Sequence, residues 1–418
     1  MRRRRDYPLL LASQFLGAFA DNAILAVILG QLTFREREGL MTSGQLSAAN
    51  AIYATLFFIP YVLLAPMAGF VNDRFPKTRW LLGGNFIKLC GTVVAAASVW
   101  RGPVWQGLGY CLVGVGACLY SPAKYGVLPE IVDREKLVKA NGTVEFLTLV
   151  AILVGYVGGA WIVDHLRVIT CYGLLMSLYG GSLVLNLFMS STPAHKEVKL
   201  RASTDEFFSN FGELLANRRL FRVLCGTCLF WICGSAIKMN FQPWGINVLG
   251  LKNNTQIATL SLWLSMGIMG GAMLAGQFHR VGDLRWTRRY GWLLSIMVGA
   301  LGLVEALLGA EWLHSQGPVM LLLILTGLFA GLFLIPLNAA LQCECHPEKL
   351  GKTIATQNFV DNMGMVAAGA MVFMGARARL NPSAMFLCLS VILALITTAL
   401  KVPTSSGFVA PIQRRHES

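Results

Sequence analysis

The feature that most constrains this chain is a succession of twelve apolar stretches, each near the ~20 residues a helix needs to cross ~30 Å of hydrocarbon. They fall at 8–34, 46–71, 80–99, 105–128, 141–163, 166–189, 221–249, 256–278, 289–312, 318–342, 354–375 and 382–402. With 55% hydrophobic and only 13% charged residues, the surface cannot be mainly aqueous. The spacing predicts an all-α polytopic membrane protein.

The formal charge of +14 invites a nucleic-acid reading, but the placement of the 35 Lys and Arg residues argues otherwise. If the amino terminus is cytoplasmic, segments on that side hold 25 of them, outer loops hold 7, and Lys88, Lys124 and Lys238 remain inside spans. This asymmetry predicts that both termini are cytoplasmic and that the excess charge faces anionic lipid; no nucleic-acid partner is expected. "RRRR" (2–5), its apolar stretch and "AFA" (18–20) imitate a secretory signal, yet cleavage would leave eleven spans.

Residues 190–219 are the longest polar interruption and divide the chain into 1–189, a linker, and 220–418. Within the linker, Phe207, Phe208, Phe211, Leu214 and Leu215 predict a short amphipathic helix on the membrane surface. A shift of 213 residues lays "REKLVKANGTVEFL" (134–147) on "PEKLGKTIATQNFV" (347–360), and Ala23 and Ile24 on Ala236 and Ile237. Parallel halves of six helices suit a rocking transporter with its site between them.

"GFVNDRFPKTR" (69–79) resembles the loop motif of the major facilitator superfamily. That resemblance implies two pseudo-symmetric six-helix bundles and a gating latch using Asp73, Arg74, Lys77 and Arg79. Pro76 departs from the usual Gly, and the second copy, "GQFHRVGDLR" (276–285), has Arg280 at the Asp position. In this fold the first, fourth, seventh and tenth spans surround the cavity. They carry Asp21 with Asn22, Lys124, Lys238 and Asn338, while Glu145, Asn358 and Asp361 stand on the fifth and eleventh.

Asp21 is expected either to meet substrate or to form a strut with Lys124 or Lys238, since embedded charges commonly pair. Lys88 is expected to snorkel, and Glu305 to lie near the outer interface. Asp21, Glu145 and Asp361 are also candidate proton carriers, because no histidine lies clearly within a span, and Glu145 is equally a candidate partner for Lys124. The glycine pairs 107/109, 114/116, 155/159 and 267/271 predict close helix packing, not nucleotide binding. No GxxxxGK[ST] element or catalytic constellation occurs in the sequence, so neither ATP-driven transport nor an enzyme is expected, and no cofactor. The ten cysteines fall mostly in spans and read as packing residues, and "CECH" (343–346) lacks a second ligand pair. "NGT" (141–143) and "NNT" (253–255) match the glycosylation pattern weakly.

"SQFLGAFADNAIL" (13–25), "VGVGACLYSPAKYGVLPE" (113–130), "KLVKANGTVEFLTLVAILVG" (136–155), "CGTCLFW" (225–231) and "IPLNAALQ" (335–342) together resemble the bacterial lysophospholipid transporter (LplT-type) family. The resemblance implies a flippase of the cytoplasmic membrane that moves lysophospholipids to the inner leaflet. There an acyltransferase/acyl-carrier-protein synthetase would restore the second chain. It maps the charged cavity residues onto Asp21, Lys124 and Lys238, the last a Lys where relatives carry Arg. Tyr125 and Glu145 are taken with them as substrate contacts, in a monomer embedded among membrane lipids. Pro122 is expected to open its helix where freed carbonyls face a polar cavity. The alternatives are transport of another amphiphile and a non-transporting lipid-binding scaffold.

Overall fold

A computed structural model describes residues 3–133, 136–194, 197, 199–279, 283–307, 316–344 and 350–400. Arg280 and the second half of "CECH" lie outside the described residues. The first half contains α1 (Arg3–Arg37), α2 (Ser43–Leu63), α3 (Ala65–Arg74), α4 (Lys77–Ala96), α5 (Ser98–Arg101), α6 (Pro103–Gly126), α7 (Leu128–Ile131), α8 (Leu137–His165) and α9 (Val168–Leu187). The linker helix is α10 (Leu200–Ala216). The second half contains α11 (Arg218–Asn247), α12 (Asn254–Phe278), α13 (Thr287–Gly302), α14 (Gln316–Glu344), α15 (Leu350–Arg377) and α16 (Pro382–Ala399).

Ten of these helices are long and apolar enough to span a membrane. The α6 and α13 helices fill the fourth and ninth positions of the expected twelve-span order. Only helices can cross hydrocarbon as single segments, because each satisfies its own backbone polar groups.

The glycines do what their spacing predicts. A Cβ at Gly109 would strike the backbone of α4 at Ala95, and one at Gly114 would strike the Phe57 carbonyl of α2. Gly155 and Gly159 receive Phe19 and Ala23 of α1 in the same way. Gly114 maps by the 213-residue shift onto Gly327, which meets the Leu264 carbonyl of α12. Without a side chain in the way, backbones approach closely enough for dispersion to hold helices together in lipid. Repeat-related Ala23, Ile24, Ala236 and Ile237 are all buried.

The two halves meet through α2 with α15, α8 with α12, and α2 with α11. Their named hydrogen bonds cluster at the end of the bundle farthest from the termini. Gln242 of α11 donates to the Leu29 carbonyl and to Thr33 Oγ1 of α1. Asn247 donates to Ser43 at 2.8 Å. Asp164, at the end of α8, takes the backbone N–H groups of Asn254 (3.1 Å) and Thr255 (2.8 Å). The Asn254 amide and Thr255 hydroxyl add bonds of 2.7 Å each to the same carboxylate. The "NNT" stretch is therefore the capped start of α12, with Asn253 accepting from Gln256 N.

The linker helix α10 docks on α15: Phe207 and Phe211 meet the Phe359 ring at 5.6 and 5.9 Å. Asn210 donates to Thr356 at 3.0 Å, and Lys352 pairs with Glu206. Phe208 and Leu215 remain exposed as an apolar edge. Phe359 offers those rings a packed partner as well as removal from water.

Candidate functional site

Asp21 and Asn22 are neighbours in sequence but face different surroundings, because successive helical residues are turned by about 100°. Asp21 points into its own bundle. Its Oδ2 is 2.7 Å from Lys88 Nζ of α4, and Tyr179 of α9 donates to Oδ1 at 2.8 Å. The Lys88 ammonium also lies 5.0 Å from the Tyr120 ring centroid. This overturns two expectations: Asp21 is not a strut to Lys124 or Lys238, and Lys88 does not snorkel. Eleven residues separate Lys88 from Lys77 at the start of α4, a depth of about 16 Å at 1.5 Å per residue. No lysine stem spans that, so the charge is met inside by a carboxylate. A second polar layer lies beside this pair, where Asn85 donates to Ser182 at 2.7 Å and Ser182 donates to the Ser13 carbonyl at 2.8 Å.

Asn22 lies seven residues before Leu29, hence on the side of α1 that meets α11. Its amide donates to Ala18 O at 2.9 Å.

Lys124 lies near the end of its span. It stands in the last turn of α6, where a cation complements the carbonyl end of the helix, and is 6% exposed. Its Nζ lies 4.4 Å from the Tyr125 ring centroid. Tyr125 donates its hydroxyl to Glu145 of α8, so Lys124, Tyr125 and Glu145 form one group across α6 and α8. Pro122 does not break α6, which continues to Gly126. The proline removes a single ladder bond, the one to the carbonyl four residues before it, and the ladder resumes through Val127 N to Ala123 O.

Lys238 stands apart. It lies within the body of the protein yet is accessible, and among the described residues no acidic side chain pairs with it. Gln242 is one helical turn beyond and faces α1, so Lys238 shares the face of α11 turned toward the other half. The far end closes directly beyond this ammonium. Asn338 of α14 accepts from Gln357 of α15 at 2.7 Å.

In the α3–α4 loop, Lys77 pairs with Glu130 of α7 at 2.5 Å, and its stem covers Gly126. Glu130, which ends the "YSPAKYGVLPE" stretch, was not among the expected gate residues. Arg74 lies against the Phe70 and Phe75 rings, Asp73 and Arg74 are both engaged in side-chain interactions, and Arg79 is exposed. In the corresponding loop of the second half, two side-chain hydrogen bonds from Arg285 hold the Asp283 carboxyl down at about 2.

Comparison with known proteins agrees with this architecture. The family model of the Major Facilitator Superfamily matches residues 10–370. The chain is 36% identical to the lysophospholipid transporter LplT of Photorhabdus laumondii over 87% of this chain and 86% of that one. With LplT of Klebsiella pneumoniae strain 342 the identity is 32%, over 94% of each chain. Among solved structures, a POT family transporter in complex with a thioalcohol-conjugated peptide superposes with a TM-score of 0.72 at 12% identity, covering 95% of both chains. The human organic anion transporter MFSD10 gives 0.68 at 14% identity, over 96% of this chain and 100% of that one. At such identities these two share the fold alone. The twelve-helix order, the repeat and the extent of the sequence match together place this chain in the LplT-type family of the Major Facilitator Superfamily.

Proposed function

We propose that this transporter moves lysophospholipids from the outer to the inner leaflet of the bacterial cytoplasmic membrane, by alternating access between its two halves. The relatives' names supply the cargo class, and Lys238 is the single observation in the structure that carries it. An ammonium without an acidic partner among the described residues, accessible beneath a closed end, suits a phosphodiester that must leave water while its acyl chain stays in apolar surroundings. Asn22 and Asn338 would hydrogen-bond the rest of the head group. Lys124, Tyr125 and Glu145 would meet it nearer the termini. Asp21 acts through Lys88 and Tyr179, fixing the first bundle as a rigid body instead of touching the head.

Positive-inside placement puts both termini in the cytoplasm, which makes the closed end the outer one. Asp73, Arg74, Lys77 and Arg79 form the inner gate region, with Lys77 bound to Glu130 in this conformation. Reacylation by an acyltransferase/acyl-carrier-protein synthetase on the cytoplasmic side would make the movement directional. A monomer suffices for all of this.

The test is transfer of labelled lysophosphatidylethanolamine by purified protein in vesicles, with the diacyl lipid as control. Wild type should move the lyso form preferentially. Losing one charge-assisted contact of about 1.5–3 kcal/mol, Lys238→Ala should weaken apparent affinity roughly 10- to 100-fold, while Lys238→Arg retains it. Equal transfer of the diacyl lipid, or unchanged affinity in Lys238→Ala, would refute the assignment.

A further inference from the structure

Among the described residues the site above leaves two buried carboxyl groups unused, Asp6 and Asp361. Asp361 stands within α15 and is 3% exposed. Its Oδ1 lies 3.0 Å from Thr227 Oγ1 on α11, and the Trp231 and Gln357 side chains reach the same carboxyl. The basic groups on helices packed against α15 are occupied or distant. Lys352 pairs with Glu206, Arg219 with Glu344 and Arg201 with Asp205, all at the terminus-bearing end, where Arg222 is also engaged. Lys238 is eleven residues beyond Thr227 on α11, about 16 Å along the axis, and Arg377 is about 24 Å beyond Asp361 on α15. Helix α2 carries no charged residue, and α14 contributes the neutral Asn338 through Gln357. The titratable neighbour facing Asp361 is the Cys228 thiol.

An ionised aspartate so placed would be uncompensated, at a cost of about 2.5–3.5 kcal/mol on insertion scales. Trp231 and Gln357 donate to the carboxyl, and the Thr227 contact leaves room for a proton on it. Thr227 Oγ1 is within reach of two oxygens, Leu224 O at 3.1 Å and Asp361 Oδ1 at 3.0 Å, but it owns one hydrogen. The carbonyl can only accept. When the hydroxyl donates to Leu224, contact with Asp361 is a hydrogen bond if the carboxyl supplies the proton.

The other half shows the same arrangement with an unambiguous donor. A shift of 213 residues maps Gln14 onto Thr227 and Thr148 onto Asp361. There Thr148 donates to the Val144 carbonyl at 2.7 Å and accepts from the Gln14 amide at 3.0 Å. A neutral pair closes that crossing, so packing alone does not call for a carboxyl in the second half.

We propose that Asp361 is a proton-binding site. It holds a proton while the far end is closed, and releases it when α2 parts from α15 as the halves separate and water reaches the carboxyl. This holds whatever the cargo.

The direct test is infrared difference spectroscopy of purified, lipid-reconstituted protein. Wild type at neutral pH should show the carbonyl stretch of a protonated carboxylic acid, shifted in D2O and absent in Asp361→Asn. Thr227→Val removes the acceptor and should keep the band but raise its frequency. Transport by wild type should vary with pH across the titration of that band, and transport by Asp361→Asn should not. A wild-type protein without the band, or a band that persists in Asp361→Asn, overturns the proposal. So does loss of the band in Thr227→Val. None of the spectra depends on lysophospholipid being the substrate.

Discussion

Replacing Asp164 with alanine should open the far end of the transporter. The carboxylate accepts four hydrogen bonds from the start of α12, two from backbone N–H groups and two from side chains. When the halves part, water takes over these partners, so each bond contributes only its net value. At roughly 0.5–1 kcal/mol apiece the four sum to about 2–4 kcal/mol. At tenfold per about 1.4 kcal/mol, the closed-to-open ratio falls roughly 30- to 700-fold. Helix α12 itself should survive, because Asn253 still caps it through Gln256 N. Asp164→Asn keeps one acceptor oxygen and should fall between wild type and Asp164→Ala.

Spin labels at Glu38 and Lys252, exposed positions in the far-end loops, report the opening once accessible native cysteines are replaced. Pulsed dipolar spectroscopy should give a short distance in wild type and a dominant longer one in Asp164→Ala. An unchanged distribution in folded Asp164→Ala protein would show that this carboxylate does not hold the closure.

Two further outcomes follow from charge placement. Asp21→Asn and Lys88→Met should each lower stability by about 3–5 kcal/mol, since each strands a buried charge, while the double variant recovers part of the loss; thermal unfolding in detergent measures this, and simple additivity would deny the pairing. The Asp283–Arg285 clip should persist on acidification from neutral pH and be lost only as pH falls through about 2, because its depressed value places its stabilisation above that point. Carboxyl shifts of aspartate-labelled protein would follow it, and titration at the ordinary carboxylate value would contradict the clip.

The fold and the packing were legible along the chain because both depend on near-neighbour periodicity. Lipid leaves a span little choice but helix, and Gly109, Gly155 and Gly267 announce close approaches through their missing side chains. Lys238 was legible as a charge without a local partner. Lys88 was readable in principle, since counting residues from Lys77 places it too deep to snorkel. Its partner was not, because Asp21 is 67 positions away and only the packing of α1 on α4 brings them together.

By itself, then, the sequence determined a membrane-embedded pair of related helical bundles, its family, and the inventory of charges that hydrocarbon must accommodate. Tertiary structure decided which charges neutralise each other inside a bundle and which stay available between bundles. The physical reason is angular: along a helix a charge's depth is counted directly, but the direction it faces acquires meaning only when neighbouring helices take their places. Asp21 and Asn22 share a depth, yet one meets an ammonium within its own half and the other lies on the side turned toward the opposite half.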